Sequence, residues 1–173
     1  MNIQERLEAE HSKALTIGIV NYIGDDKNRF KELMTIFLKG EYRLTQRAAW
    51  PLSYIAIEHP QLLKPYFDKF IKKLDDSSSH PAIARNIFRV LQEIEIPEKY
   101  QGILIDKSFK VIMNETQPAA VRAFAITVAS RICKKYPELK NELLILLKEL
   151  SSLPQLPSMT ARLKMALKEL KMV

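Results

Sequence analysis

The sequence predicts an all-α protein, a right-handed α-α superhelix of about four to five stacked helix pairs. Three observations carry that prediction. An arginine recurs at near-constant spacing: Arg47, Arg85, Arg122 and Arg162 are 38, 37 and 40 residues apart. Prolines recur with it, Pro81, Pro118 and Pro157 just before three of the arginines and Pro60, Pro97 and Pro137 twelve to fifteen residues after the first three. Only four glycines occur in 173 residues, too few for a β-rich or glycine-loop enzyme, while Leu, Lys, Glu, Ala and Ile favour helix.

Residues 1–26 read as N-terminal capping helices, with Ile3, Leu7, Leu15, Val20, Tyr22 and Ile23 as their apolar positions. Four helix-pair repeats follow over 27–173 within one continuous domain, 1–173. Proline fits the first turn of a helix and stops a helix that has ended, so the prolines punctuate the pairs. The pairs are Lys27–Leu38 with Leu44–Glu58, Gln61–Leu74 with Pro81–Glu95, Glu98–Asn114 with Pro118–Tyr136, and Glu138–Leu150 with Ser158–Met172. Ser79 and Ser158 are the expected N-caps, since a short hydroxyl satisfies an orphan amide of the first turn. Each first helix carries one apolar stripe at helical spacing. The clearest is Leu62, Leu63, Tyr66, Phe67, Phe70, Ile71 and Leu74; Phe30, Leu33, Met34 and Phe37 form another, and Leu139, Leu143, Leu144, Leu147 and Leu150 a third. In the second helices the stripe is indexed from the arginine: Ala84, Ile87, Phe88 and Leu91, then Val121, Phe124, Ala125 and Val128. The last repeat leaves this register, its apolar set being Leu163, Ala166, Leu167 and Leu170, as a terminal repeat with a polar outer face should. The polar stretch Asp75-Asp76-Ser77-Ser78-Ser79-His80 is too short to be a domain linker.

Composition bounds the function classes. An apolar content of 47% supports a continuous core. One cysteine, Cys133, excludes an intramolecular disulfide and a cysteine-based zinc cluster; on a stripe with Val128, Ala129 and Ile132 it reads as inert core. His11, His59 and His80 form no metal pair, and no phosphate loop, nucleophile elbow or zinc-protease motif occurs. The sequence therefore predicts a protein that is not an enzyme and needs no cofactor or metal. Acidic residues in the first twenty positions argue against a signal peptide, and no apolar run is long enough to span a membrane, which makes a cytoplasmic protein the expectation. The net charge of +7 is uneven: residues 131–173 hold nine Lys/Arg against four Asp/Glu, whereas residues 1–41 hold six against seven.

The candidate binding residues lie on the second helices. Arg47, Trp50 and Tyr54 are spaced i, i+3 and i+7, so one helix face presents a guanidinium and two aromatic rings. Pro51 sits inside that helix and is expected to bend it. Arg85 and Arg122 extend the strip in the following repeats. Guanidinium forks suit carboxylates and phosphates, and an aromatic anchor suits an extended acidic peptide. The same arginines have a structural reading, each pairing with a loop carbonyl or an acid of a neighbour, and Trp50 one as a core residue beside the kink.

The unit of leucine-rich helix, polar turn, proline and small residue–arginine resembles the HEAT-repeat (armadillo-like) family. Its best matches are Pro65-Tyr66-Phe67-Asp68-Lys69-Phe70 leading through Asp75 and Asp76 to Ala84-Arg85, and Phe109–Asn114 leading to Val121-Arg122-Ala123. The resemblance covers about residues 27–173. It implies a concave face that binds a protein or peptide, a non-catalytic scaffold, and an aspartate six residues before each arginine forming an Asp–Arg ladder. Those positions hold Glu41, Ser79, Thr116 and Leu156, so one of the four is acidic. The stretches 40–51 and 133–143 are also similar to short bacterial HEAT-like proteins that sometimes carry the label adenylosuccinate lyase. The chain lacks the mobile Ser-Ser-x-Met-Pro-x-Lys-x-Asn-Pro loop of true lyases, and Ser151-Ser152-Leu153-Pro154 is only an echo of it. The alternative function is weak binding to the phosphate backbone of nucleic acid, as in HEAT-like DNA glycosylases; their clustered tryptophans are reduced here to Trp50.

Overall fold

A computed structural model describes residues 1–76 and 80–171. The expected cap Ser79 and the expected last helical residue, Met172, lie outside the described residues, as do Ser77 and Ser78 of the polar stretch. Among the described residues the regular structure is helical throughout, with no strand. The chain forms two compact units, Met1–Ile94 and Glu95–Val173.

In the first unit, α1 (Ile3–Ala9), α2 (Lys13–Ile23) and α3 (Lys27–Lys39) each start on a side-chain cap. Asn2, Ser12 and Asp26 accept hydrogen bonds from first-turn amides that would otherwise lack partners. Helix α4 (Tyr42–Glu58) follows and runs unbroken through Pro51. Residues 61–74, expected as one helix, are instead divided: α5 (Pro60–Leu63), a 3-10 turn (Lys64–Tyr66), α6 (Phe67–Lys72) and a second 3-10 turn (Lys73–Asp75). Pro65 is the cause, since it has no N–H to give the carbonyl four residues back and its ring crowds that carbonyl. The apolar stripe survives the break, with Leu62, Leu63, Phe67, Phe70 and Ile71 all buried. Helix α7 (Pro81–Glu93) closes the unit, capped by the His80 imidazole, which accepts from the Ala82 amide at 3.0 Å.

Helix α4 is the centre of this unit and packs on α1, α2, α3, α5 and α7. Its small residues Ala48, Ala49, Ser53 and Ala56 are fully or almost fully buried and let those neighbours approach closely. Large side chains fill the space around them: Phe30, Phe37, Phe70 and Phe88 are buried, and the Phe37 and Phe70 rings meet at 5.8 Å between centroids. Each such ring contributes about 1.5–3 kcal/mol of transfer free energy when fully buried.

The second unit comprises α8 (Glu98–Met113), α9 (Ala119–Cys133), α10 (Pro137–Ser152) and α11 (Pro157–Lys171). Helix α9 packs on all three of the others, and its composition explains why. Val121, Ala125, Ile126, Val128, Ala129, Ile132 and Cys133 are buried, so apolar and small residues occupy most of its circumference. Gln101 ties the α8 end of the unit together: its amide donates to the Ile96 carbonyl at 3.0 Å and its oxygen accepts from the Tyr136 hydroxyl at 2.9 Å. Ser158, expected as the cap of the last helix, lies within its first turn, because Pro157 already occupies the first helical position. Leu163, Ala166 and Leu170 are buried in the rotated register read for that helix, and Leu167 is half-buried.

Candidate functional site

Helices α4 and α7 pack side by side in the first unit and bring a set of aromatic and cationic side chains together. Trp50 and Tyr54, one turn apart on α4, are both half-buried. The guanidinium of Arg89, one turn beyond Arg85 on α7, lies over the Tyr54 ring at 4.4 Å from its centroid. A cation held on an aromatic face contributes about 0.5–2 kcal/mol and fixes both groups. Hydrogen bonding to Arg89 holds the Tyr54 phenol below the usual tyrosine value, opposed by partial burial and assisted by the charges of Arg89 and Lys13. On the other side of Trp50, His11 approaches edge-on at 5.5 Å. Burial, and secondarily the charge of Arg47, hold the His11 imidazole below its ordinary value.

Arg47 has a definite partner. Its Nη1 donates to the carbonyl oxygens of Leu7 at 2.6 Å and Glu8 at 2.9 Å. These are among the last carbonyls of α1, which have no amide partner of their own, and a cation there also meets the negative end of the helix. Arg122, in the second unit, repeats the device: its Nε donates at 2.9 Å to the carbonyl of Ile112 near the end of α8. Arg85 is exposed and Arg162 half-buried. None of the four recurrent arginines joins an ion pair among the described residues. The acid-to-arginine ladder that the resemblance implies is thus absent among them, and carbonyl capping takes its place at Arg47 and Arg122. The departure is legible in Ser79, Thr116 and Leu156, which stand where the ladder needs an acid.

Of the sequence-derived residues, the fold brings Arg47, Trp50 and Tyr54 together on α4 and places Arg85 on the adjacent α7. Arg122 belongs to α9 in the other unit and is buried, with 6% of its surface exposed. Three residues that sequence reasoning did not select also belong to the cluster: Arg89, Lys13 and His11. Arg89 carried a usable signal, since it lies four residues after Arg85 and hence on the same helix face. His11 and Lys13 reach the cluster only through the docking of the N-terminal helices on α4.

Charge is sorted between helices. Helices α4, α7, α9 and α11, the second helices of the pairs, hold ten Lys/Arg against three Asp/Glu, while the remainder of the chain holds seventeen of each. The whole net charge of +7 therefore resides on the second helices. Burial pushes the Cys133 thiol up to about 12, and nearby Glu142 adds to the effect, so the sulfur is not a nucleophile at neutral pH. No helix among the described residues is long and apolar enough to cross a membrane.

No curated protein and no solved structure gives a significant match to this sequence. The model of the HEAT repeat domain matches residues 3–170, almost the whole length, including the N-terminal helices that the arginine spacing left outside the repeats. With arginines at a near-constant period on the second helices of stacked pairs, and with that match, the chain belongs to the HEAT repeat family.

Proposed function

We propose that this HEAT-repeat chain is a non-catalytic binding module that takes an acidic, extended protein segment along the α4–α7 face of its first unit. The supporting observation is the cluster itself, in which Arg89 stacks on Tyr54 beside Trp50, with Lys13 and Arg47 close by and the exposed Arg85 one turn before Arg89 on α7. The rings are held by their neighbours before any ligand arrives, so little side-chain freedom remains to be lost on binding. Their exposed edges offer apolar contact, and the guanidinium groups offer forked donors to carboxylates. Arg47 keeps Nη1 on α1 and acts on a ligand through its charge and its remaining donors.

Trp50 is the sole tryptophan, so its fluorescence reads this site directly. Titration with a glutamate-rich peptide is expected to change Trp50 emission saturably, and Arg85→Glu with Arg89→Glu to abolish the change while the far-ultraviolet spectrum stays helical. A flat titration with the wild-type chain would remove the proposal. Confinement of the net charge to the second helices favours a second reading, contact with a nucleic-acid phosphate backbone. In that case a labelled duplex would compete with the peptide and lose affinity steeply from low to physiological salt.

A further inference from the structure

A second site lies wholly within the second unit. A cavity of about 270 Å³ opens at the start of α9, lined by Glu115, Gln117, Arg122 and Gln155 together with the apolar Leu156 and Met159. Two polar groups at this cavity lack partners. Arg122 is 94% buried by its 6% exposure, and while its Nε is taken by Ile112, its Nη2 has no hydrogen bond. The Oε1 of Gln117 is likewise buried without a donor. A buried guanidinium nitrogen left unpaired costs several kcal/mol in general, so Nη2 is a strong donor in want of an acceptor at this cavity. Helix α9 adds to the demand. It has 15 residues and no side-chain cap; Pro118 precedes it, and Ala119, whose amide comes before the first intrahelical bond, lines the cavity.

We propose that this cavity binds a small carboxylate carrying a hydrogen-bond donor on the adjacent carbon, that is, a 2-hydroxy or 2-amino acid with a short apolar substituent. The carboxylate meets Arg122 Nη2 and the amides of Ala119 and Ala120, which precede the first intrahelical bond of α9. The 2-hydroxyl or 2-amino group donates to Gln117 Oε1, and the substituent lies against Leu156 and Met159. Glu115 on the rim is a like charge to the carboxylate, which disfavours dianionic phosphate more than a monoanionic 2-hydroxy acid or a zwitterionic 2-amino acid. The cavity volume admits a ligand of this size. The site is independent of the α4–α7 cluster, and either can fail without the other.

The test is a series of amide ¹H–¹⁵N titrations of the full chain with L-lactate, L-alanine, acetate and inorganic phosphate at constant ionic strength. Lactate or alanine is expected to move the Ala119, Ala120 and Val121 amides and the Arg122 Nε–H saturably. Acetate, lacking the donor, should bind about tenfold more weakly, the equivalent of one hydrogen bond. Gln117→Leu should reduce lactate binding to the acetate level and leave acetate unchanged. Glu115→Gln should strengthen lactate binding roughly threefold by removing the rim charge. Arg122→Lys would also disturb the end of α8, whereas the side chains of Gln117 and Glu115 make no such contact among the described residues. The proposal is overturned by absence of saturable shifts in the wild-type chain or by equal affinity for acetate and lactate. It is also overturned by tighter binding of phosphate, or by binding in Glu115→Gln alone, which would make Glu115 the built-in occupant.

Discussion

Replacing Arg47 by methionine separates the structural role of that residue from any role in binding. The side chain keeps most of its length and apolar stem but loses the two hydrogen bonds to Leu7 and Glu8. Helix α1 depends heavily on them. It has seven residues, well under the roughly 12–15 at which an isolated helix is even marginal in water. Two of its side chains, Ile3 and Leu7, are buried. A hydrogen bond with a charged partner contributes about 1.5–3 kcal/mol net, but the freed carbonyls sit near the surface and water replaces part of what is lost. The two bonds together are therefore worth about 1–3 kcal/mol, which makes α1 open about 5- to 150-fold more often, at roughly 1.4 kcal/mol per factor of ten. Native-state hydrogen exchange at the α1 amides measures this directly. The expected result is acceleration confined to residues 3–10, with the amides of α3 and α9 unchanged. Unchanged protection of α1, or acceleration spread evenly through α4 and α7, would refute the argument that Arg47 holds α1 in place.

Three further outcomes are expected. At Gly40 an added Cβ would press on the backbone carbonyl of Ile36 and sit 3.2 Å from Leu44 Cβ, so Gly40→Ala should cost about 1–3 kcal/mol, measured by urea unfolding, although its φ of −65° is open to any residue. Arg89→Gln should return the Tyr54 phenol toward 10.0, read by ultraviolet titration of the tyrosinate. Because the folded value lies below the unfolded one, the Arg89 contribution favours folding at alkaline pH and is lost as pH falls through the folded value; Arg89→Gln should therefore reduce stability more above that value than at neutrality. With its thiol pushed to about 12 in a buried position, Cys133 should react with a thiol reagent at neutral pH only as fast as the second unit opens, and the rate should rise steeply with urea.

Much of the fold was legible because local chemistry and tertiary packing agree. Proline punctuation and the apolar stripes of α3, α7, α9, α10 and α11 placed those helices to within a few residues. Pro65 was equally visible in the sequence, but the stripe Leu62–Leu74 continues across it, and periodicity alone does not register a missing backbone donor. The candidate site was legible to the extent that it lies on a single helix. Arg47, Trp50 and Tyr54 follow from spacing on α4, and Arg89 was within reach of the same reasoning. His11 and Lys13 were not, since their approach to Trp50 and Tyr54 depends on how α1 and α2 dock on α4. The divergent surroundings of Arg85, exposed, and Arg122, buried, were hidden for a similar reason. The two share a motif position, and the difference is that Arg122 reaches the end of α8.

The bond between Arg47 and the end of α1 spans 40 residues of sequence, and this imposes an order on synthesis. Helix α1 is made well before the arginine that holds its last turn, and its packing on α2 and α3 can form before its packing on α4. During that interval the seven-residue segment is too short to be helical alone and has α2 and α3 to dock on, but not the Arg47 bonds that hold its end. Completion of α4 is thus the event that fixes the end of α1 in place.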